Sequence, residues 1–132
     1  MTGNAKTRIT RVRTVVIPVA DQESALAFYT GTLGFDVVVD AAFGQGQRWV
    51  ELAPQGAAST IALATATQAR PAGVDTGIRF STDDAAADHA DLLARGVDAD
   101  PELTRWPGVP PMFTLRDPDG NQLVIVEQPP AG

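Results

Sequence analysis

Thr14-Val-Val-Ile-Pro-Val-Ala-Asp21 and Gly77-Ile-Arg-Phe-Ser-Thr-Asp83-Asp84 are two versions of one pattern. Each is a strand-like run that ends in aspartate and opens an Ala-rich amphipathic stretch. The first stretch stops at Leu33-Gly34-Phe35, the second at Arg95-Gly96-Val97, and three further strand-like runs follow each stop. The copies are offset by 62 to 63 residues. A repeat of that length marks a duplicated supersecondary unit. A unit with one helix and an open sheet leaves one sheet face uncovered, so two units can enclose a cleft, and clefts hold ligands.

The period-2 patterning and turn residues expand this outline. Arg11 to Ala20 is predicted as strand 1. Asp21 suits an N-cap, and a helix from Ser24 to Leu33 sets Ala25, Leu26, Tyr29 and Leu33 on one face. Phe35 to Ala41, Gln47 to Ala53 and Thr60 to Thr65 read as strands 2 to 4, with Gly44-Gln45-Gly46 as a hairpin connection. Gln68 to Val74, with Pro71 and Gly73, has no periodicity and links the copies. Thr76 to Thr82 is strand 5. Asp83 or Asp84 caps a second helix, Ala85 to Arg95, expected to pack Ala86, Ala90 and Leu93. Val97 to Leu103, Met112 to Arg116 and Gln122 to Glu127 complete strands 6 to 8. Arg105 to Pro111 reads as an ordered Pro-rich loop, and Asp117-Pro118-Asp119-Gly120 as a turn. The expected class is α+β: tandem βαβββ modules at 8–66 and 75–128, joined by a linker at 67–74, as one overall domain.

Composition removes several function classes. The chain has 132 residues and no cysteine, which excludes disulfides, thiolate metal sites and cysteine nucleophiles. No 18-residue apolar run is present and the first ten residues lack an apolar signal core, so a cytoplasmic protein without a membrane span is expected. A net charge of −6 argues against a nucleic-acid partner. The small basic cluster of Lys6, Arg8, Arg11 and Arg13 reads as a solvated strand end. There is no phosphate loop, and His89, the only histidine, falls mid-helix as an exposed or half-buried residue with no nucleophile beside it.

Pro18-Val-Ala-Asp21, Ala27-Phe-Tyr29 and Leu33-Gly-Phe35 resemble the vicinal oxygen chelate superfamily. So do Arg95-Gly-Val97, Phe113 and Asp117-Pro-Asp-Gly-Asn121. The resemblance spans roughly residues 10 to 128 and implies the glyoxalase, bleomycin-resistance and dioxygenase fold. Enzymes of that superfamily hold a divalent metal on their concave sheet faces. The matching positions here are Thr14, Glu51, Gly77 (or Thr76, if the register slips by one) and Val124. Only Glu51 keeps a metal-ligating side chain, and a divalent ion needs several N or O donors. The resemblance therefore implies no standard metal site, no cofactor, and a homodimer in which sheets from two chains complete each cavity.

Strand parity then assigns the cleft. Thr14, Gln47, Trp49 and Glu51 are expected to line it from the first module, with Phe43 at the rim. From the second come Arg79, Val124 and either Met112 or Phe113, and the resemblance adds Trp106, in a Pro-rich loop that often rims the cavity in that superfamily. Glu51 would resist ionising alone in such a site, and Arg79 is a candidate counter-charge. Three functions stay open. One is a metal-free binder of a small, largely apolar or aromatic molecule, as in bleomycin resistance. Another is a glyoxalase-type lyase, isomerase or dioxygenase that uses Glu51 as catalytic residue, with or without a divalent metal. The third is an interaction module.

Overall fold

The computed structural model describes residues 6–129. Two four-stranded sheets form, one from each copy of the repeat. The first contains β1 (Thr14–Val19), β2 (Asp36–Phe43), β3 (Gln47–Ala53) and β4 (Thr60–Thr65) in the order β1-β4-β3-β2. The second contains β5 (Asp75–Thr82), β6 (Asp98–Ala99), β7 (Met112–Arg116) and β8 (Gln122–Glu127) in the order β5-β8-β7-β6. The β1–β4 and β5–β8 pairs are parallel, and the others are antiparallel. This is the expected tandem βαβββ arrangement of the α+β class.

Each helix starts where the aspartates predict. Asp21 accepts the Glu23 N–H at 3.0 Å and starts α1 (Gln22–Ala27). Of the two candidates for the second cap, Asp84 does the work: its carboxylate accepts the Ala87 N–H at 3.0 Å and starts α2 (Ala85–Ala94). α1 does not run on as an α-helix to Leu33. It widens into a π-helix over Phe28–Thr32, and Gly34 ends it at a φ of 78°. The loosened turn leaves the carbonyls of Gly31 and Thr32 to accept from the Arg95 guanidinium, at 3.1 and 3.0 Å, so a cation at the end of α2 satisfies the end of α1.

The apolar parities of both sheets merge into one core. Ile17, Leu52, Ile61 and Leu63 from the first sheet share it with Phe113, Leu115, Leu123 and Ile125 from the second, and Tyr29 and Leu92 come from the helices. The buried face of α2 is Ala85, His89 and Leu92, one residue away from the expected Ala86, Ala90 and Leu93; Leu93 is exposed. His89 is therefore buried. Its Nε2 pairs with the Asp100 carbonyl at 2.7 Å, and its ring stands edge-on to Phe113. Strand 6 is two residues long where seven were expected. Pro101 has no N–H for the ladder and the Asp100 carbonyl turns to His89, so pairing resumes only at the isolated bridge between Thr104 and Met112.

A buried polar clasp joins the modules. Asp117 Oδ1 accepts the N–H groups of Asp119 and Asn121, both at 2.9 Å. Its Oδ2 accepts from the Tyr29 hydroxyl at 2.9 Å and the Asn121 amide at 3.0 Å. Asn121 also donates to the Pro18 carbonyl at 2.8 Å, and its Oδ1 accepts from Gly73 and Val74 at 2.8 and 3.0 Å. Asp119 accepts the Ala20 N–H at 3.0 Å. Burial, then the Asp117 charge, pushes the Tyr29 phenol well above its ordinary pKa, so it stays a donor.

Removing either end of this clasp should cost stability in proportion to the groups orphaned. Asn121→Ala strands the buried Pro18 carbonyl and the part-buried Gly73 and Val74 N–H groups and should lose roughly 3 kcal/mol, while Tyr29→Phe should lose about 1 to 2 kcal/mol. Urea unfolding of both variants checks the order.

Candidate functional site

Each sheet has one face covered by the shared core and one turned away from it. On the first open face the register sets Thr14 beside Thr60, Val16 beside Ala62, and Ala62 beside Glu51. Val39 lies opposite Glu51, Ala41 opposite Trp49, and Phe43 opposite Gln47. Thr14, Gln47, Trp49 and Glu51 therefore share this face, as parity predicts. Phe43, at the end of β2, is 51% exposed.

Glu51 sits at the centre and is only 3% exposed. Its Oε2 accepts from Trp49 Nε1 at 2.6 Å and lies 3.5 Å from Arg13 Nη1. Its Oε1 accepts from the Thr60 hydroxyl at 2.8 Å and lies 3.5 Å from Thr14 Oγ1. Thr14 and Thr60 are themselves hydrogen-bonded at 2.7 Å. The indole bond, the threonine hydroxyls and the Arg13 charge outweigh desolvation and hold the carboxyl below its usual range. The expectation that Glu51 resists ionising is thus corrected, and so is its partner. The counter-charge is Arg13, from the chain just before β1. Arg79 forms no ion pair with Glu51 among the described residues. The N-terminal basic cluster held the answer, but the folded path of residues before β1 is needed to see it.

The second open face differs in chemistry. Arg79 pairs in register with Val124, and Val124 with Thr114; Ser81 pairs with Val126, and Val126 with Met112. Arg79 is exposed, and its Nη1 lies 3.7 Å from Met112 Sδ. Of the two alternatives at the start of β7, Met112 takes the open face. Phe113, expected in the cleft, is instead 1% exposed and belongs to the core, because its register partner Ile125 has core parity. Trp106 projects from the loop before β7 and is 67% exposed.

The expected single cleft is therefore not assembled from all these residues. A groove of about 620 Å³ between the modules is lined by Val15, Thr60, Ile61, Ile78, Arg79 and Phe80 with neighbouring loop residues. Trp49, Glu51 and Trp106 do not line it. Strand parity shows which side of a sheet a residue takes, but not which other sheet that side meets.

The four positions that the family pattern assigns to a metal do not fit one. Among the described residues no three His, Cys, Asp or Glu side chains converge on a common point. Glu51 has its oxygens engaged. Gly77 adopts a φ of 73° at a break in the β5–β8 register, a conformation that a histidine would hold only under strain. Val124 offers no donor.

Comparison with known proteins gives this arrangement relatives. The family model described as Glyoxalase/Bleomycin resistance protein/Dioxygenase superfamily matches residues 11–125. An antibiotic binding protein, TnmS3 from Streptomyces sp. CB03234, is 34% identical with a TM-score of 0.83, over 94% of this chain and 100% of that one. A member of the same superfamily from Sphaerobacter thermophilus is 35% identical with a TM-score of 0.86, over 92% of this chain and 100% of the other. The uncharacterized protein YetH of Bacillus subtilis is 28% identical, over 90% of this chain and 99% of its own length.

Because the folded-state pKa of Glu51 is depressed, its carboxylate adds stability above the ordinary glutamate range and loses it as pH falls through the depressed value. Thr60→Val deletes one donor. It should move the Glu51 titration, followed by carboxyl NMR, upward toward the ordinary range, and shift acid unfolding to higher pH.

Proposed function

The chain belongs to the Glyoxalase/Bleomycin resistance protein/Dioxygenase superfamily, and from that premise we propose that it binds and sequesters a small, largely apolar or aromatic molecule without a metal. The carrying observation is the state of Glu51. It holds the one family metal position that keeps a ligating side chain, and its carboxylate is spent on Trp49, Thr60, Thr14 and Arg13. A site whose only acid is already satisfied supplies surface, not metal chemistry or proton transfer. The description of TnmS3 as an antibiotic binding protein supports the same direction, and makes a drug or secondary metabolite the first class of ligand to try.

In this proposal Trp49, with Thr14, Gln47 and Phe43 around it, forms the aromatic wall for the ligand. Arg79, Met112, Val124 and Trp106 meet the ligand from a second-module face. The chain is a cytoplasmic homodimer whose cavities are each completed by sheets from two copies. The supports are geometric. Among the described residues β1 and β5 each end a sheet, with no strand paired along the outer edge. No helix among the described residues is long and apolar enough to cross a membrane.

Tryptophan fluorescence should change on titration with a panel of planar aromatic antibiotics, and Trp49→Phe should weaken the best binder about five- to tenfold. A broad panel that leaves the signal unmoved would count against binding. Light scattering should give about twice the 13.8 kDa chain mass. Protein purified without chelator should carry less than about a tenth of an equivalent of Zn, Ni, Mn or Fe; a full equivalent would favour the glyoxalase-type alternative.

A further inference from the structure

The bonds around Glu51 have a direction. Arg13 Nη1 donates to Thr14 Oγ1 at 3.3 Å, and Arg13 can act only as a donor. Thr14 then offers its proton to Thr60 across 2.7 Å, and Thr60 offers its own to Glu51 Oε1 at 2.8 Å. From the other side the indole N–H of Trp49 meets Oε2 at 2.6 Å. The indole and the Thr60 hydroxyl aim their protons at the carboxylate, and Arg13 and Thr14 continue the chain behind Thr60. An ionised carboxylate has about four lone-pair sites. Trp49 donates to Oε2 and Thr60 to Oε1, while Thr14 Oγ1 and Arg13 Nη1 stand 3.5 Å from the same two oxygens.

Trp49 gains most from this. Residues 49 and 51 lie two apart on β3 and so share a face. A half-buried indole with an unmet N–H would turn that edge to water. Here a charge-assisted bond to a fully seated carboxylate fixes it. The direct cross-strand partners are small, Ala41 opposite Trp49 and Ala62 opposite Glu51.

We infer that Glu51 is a positioning residue, holding the Trp49 indole in one orientation so that the ligand meets an aromatic plane rather than a free acid or a free indole N–H. The consequence for ligand choice rests on the binding proposed above; the orientation of Trp49 does not. The class of ligand that benefits is planar and aromatic. It is recognised at this face by stacked area, and any polar group it carries must be met elsewhere.

A positioning role has a distinctive signature in Glu51→Gln. An amide can keep its oxygen on the indole N–H and turn its NH₂ to Thr60. Thr60 can then rotate its own proton to the Arg13 carbonyl, 3.3 Å away. A metal ligand or general base would not survive that change.

The test is ¹⁵N NMR of the two indole N–H groups in the full-length chain, assigned with Trp106→Phe, alongside titration with 1-anilinonaphthalene-8-sulfonate. In the unaltered protein the Trp49 N–H should exchange with solvent at least about tenfold more slowly than that of exposed Trp106. Glu51→Gln should keep both the Trp49 resonance and probe affinity within about twofold, whereas Glu51→Ala should displace the resonance and lose about five- to tenfold in affinity. The inference is overturned if Trp49 exchanges as fast as Trp106, or if Glu51→Ala leaves the resonance where it was. It is also overturned if Glu51→Gln loses affinity while its indole stays in place, because the acid would then be touching the ligand. Should Glu51→Ala not fold, the exchange rates and Glu51→Gln still decide. If the probe does not bind the unaltered protein, the proposed binding at this face is what fails, and the resonances still judge Glu51.

Discussion

The buried carboxylate of Asp117 is the constraint on which the rest of the molecule depends. A charge taken from water must be met by donors on every side, and Asp117 finds four: two backbone N–H groups of its own turn, the Asn121 amide and the Tyr29 hydroxyl. The last comes from the other copy of the repeat. Satisfying this one group seats α1 against the β7–β8 turn, while Asn121 fixes the end of β1 through Pro18 and the linker through Gly73 and Val74. With the clasp closed, the apolar faces of the two sheets have only each other and the helices to cover them. The opposite faces are left open.

That division shapes the site. Beyond the break at Gly77 the open faces of the two modules follow the same register, so positions one repeat apart are directly comparable there. Val16 corresponds to Arg79, and Glu51 to Thr114. The duplication has therefore been used to make two unlike surfaces from one backbone. The first carries an acid that is sealed by its neighbours beside an aromatic wall. The second carries an exposed cation beside a thioether, with Ser81, Thr114, Val124 and Val126 in the same cross-strand rows. A ligand that touched both would find area on one side and charge on the other.

How much of this could be read without coordinates depended on how local the cause was. β3, β4, β7 and β8 have the bounds that their alternation predicts, because a strand buried on one face writes that burial into every second residue. The helix caps at Asp21 and Asp84 are equally local. Strand 6 was legible only in part: Pro101 weakened it visibly, but His89 drawing off the Asp100 carbonyl lies eleven residues away. The face of α2 was misplaced by one residue because an alanine-rich helix with a histidine in its stripe has a weak apolar signal. The Gly31 and Thr32 carbonyls at the end of the π-turn are met by Arg95, in the other module, and nothing near them in the chain announces that pairing.

The same distinction separates the parts of the site. The sequence by itself determined the duplication, the α+β class, the open-face parity of Thr14, Trp49, Glu51, Arg79 and Val124, and the shortage of metal donors. Each of these follows from residue type and a period of two. Tertiary structure alone decided that Arg13 and not Arg79 answers Glu51, that Met112 and not Phe113 takes the open face, and that Glu51 spends its oxygens on Trp49 and Thr60. The physical reason is that a charge finds its partners by distance and by the chain segments the fold brings beside it. Those are set by the folded path of the chain and the register between strands, and no spacing along one strand records them.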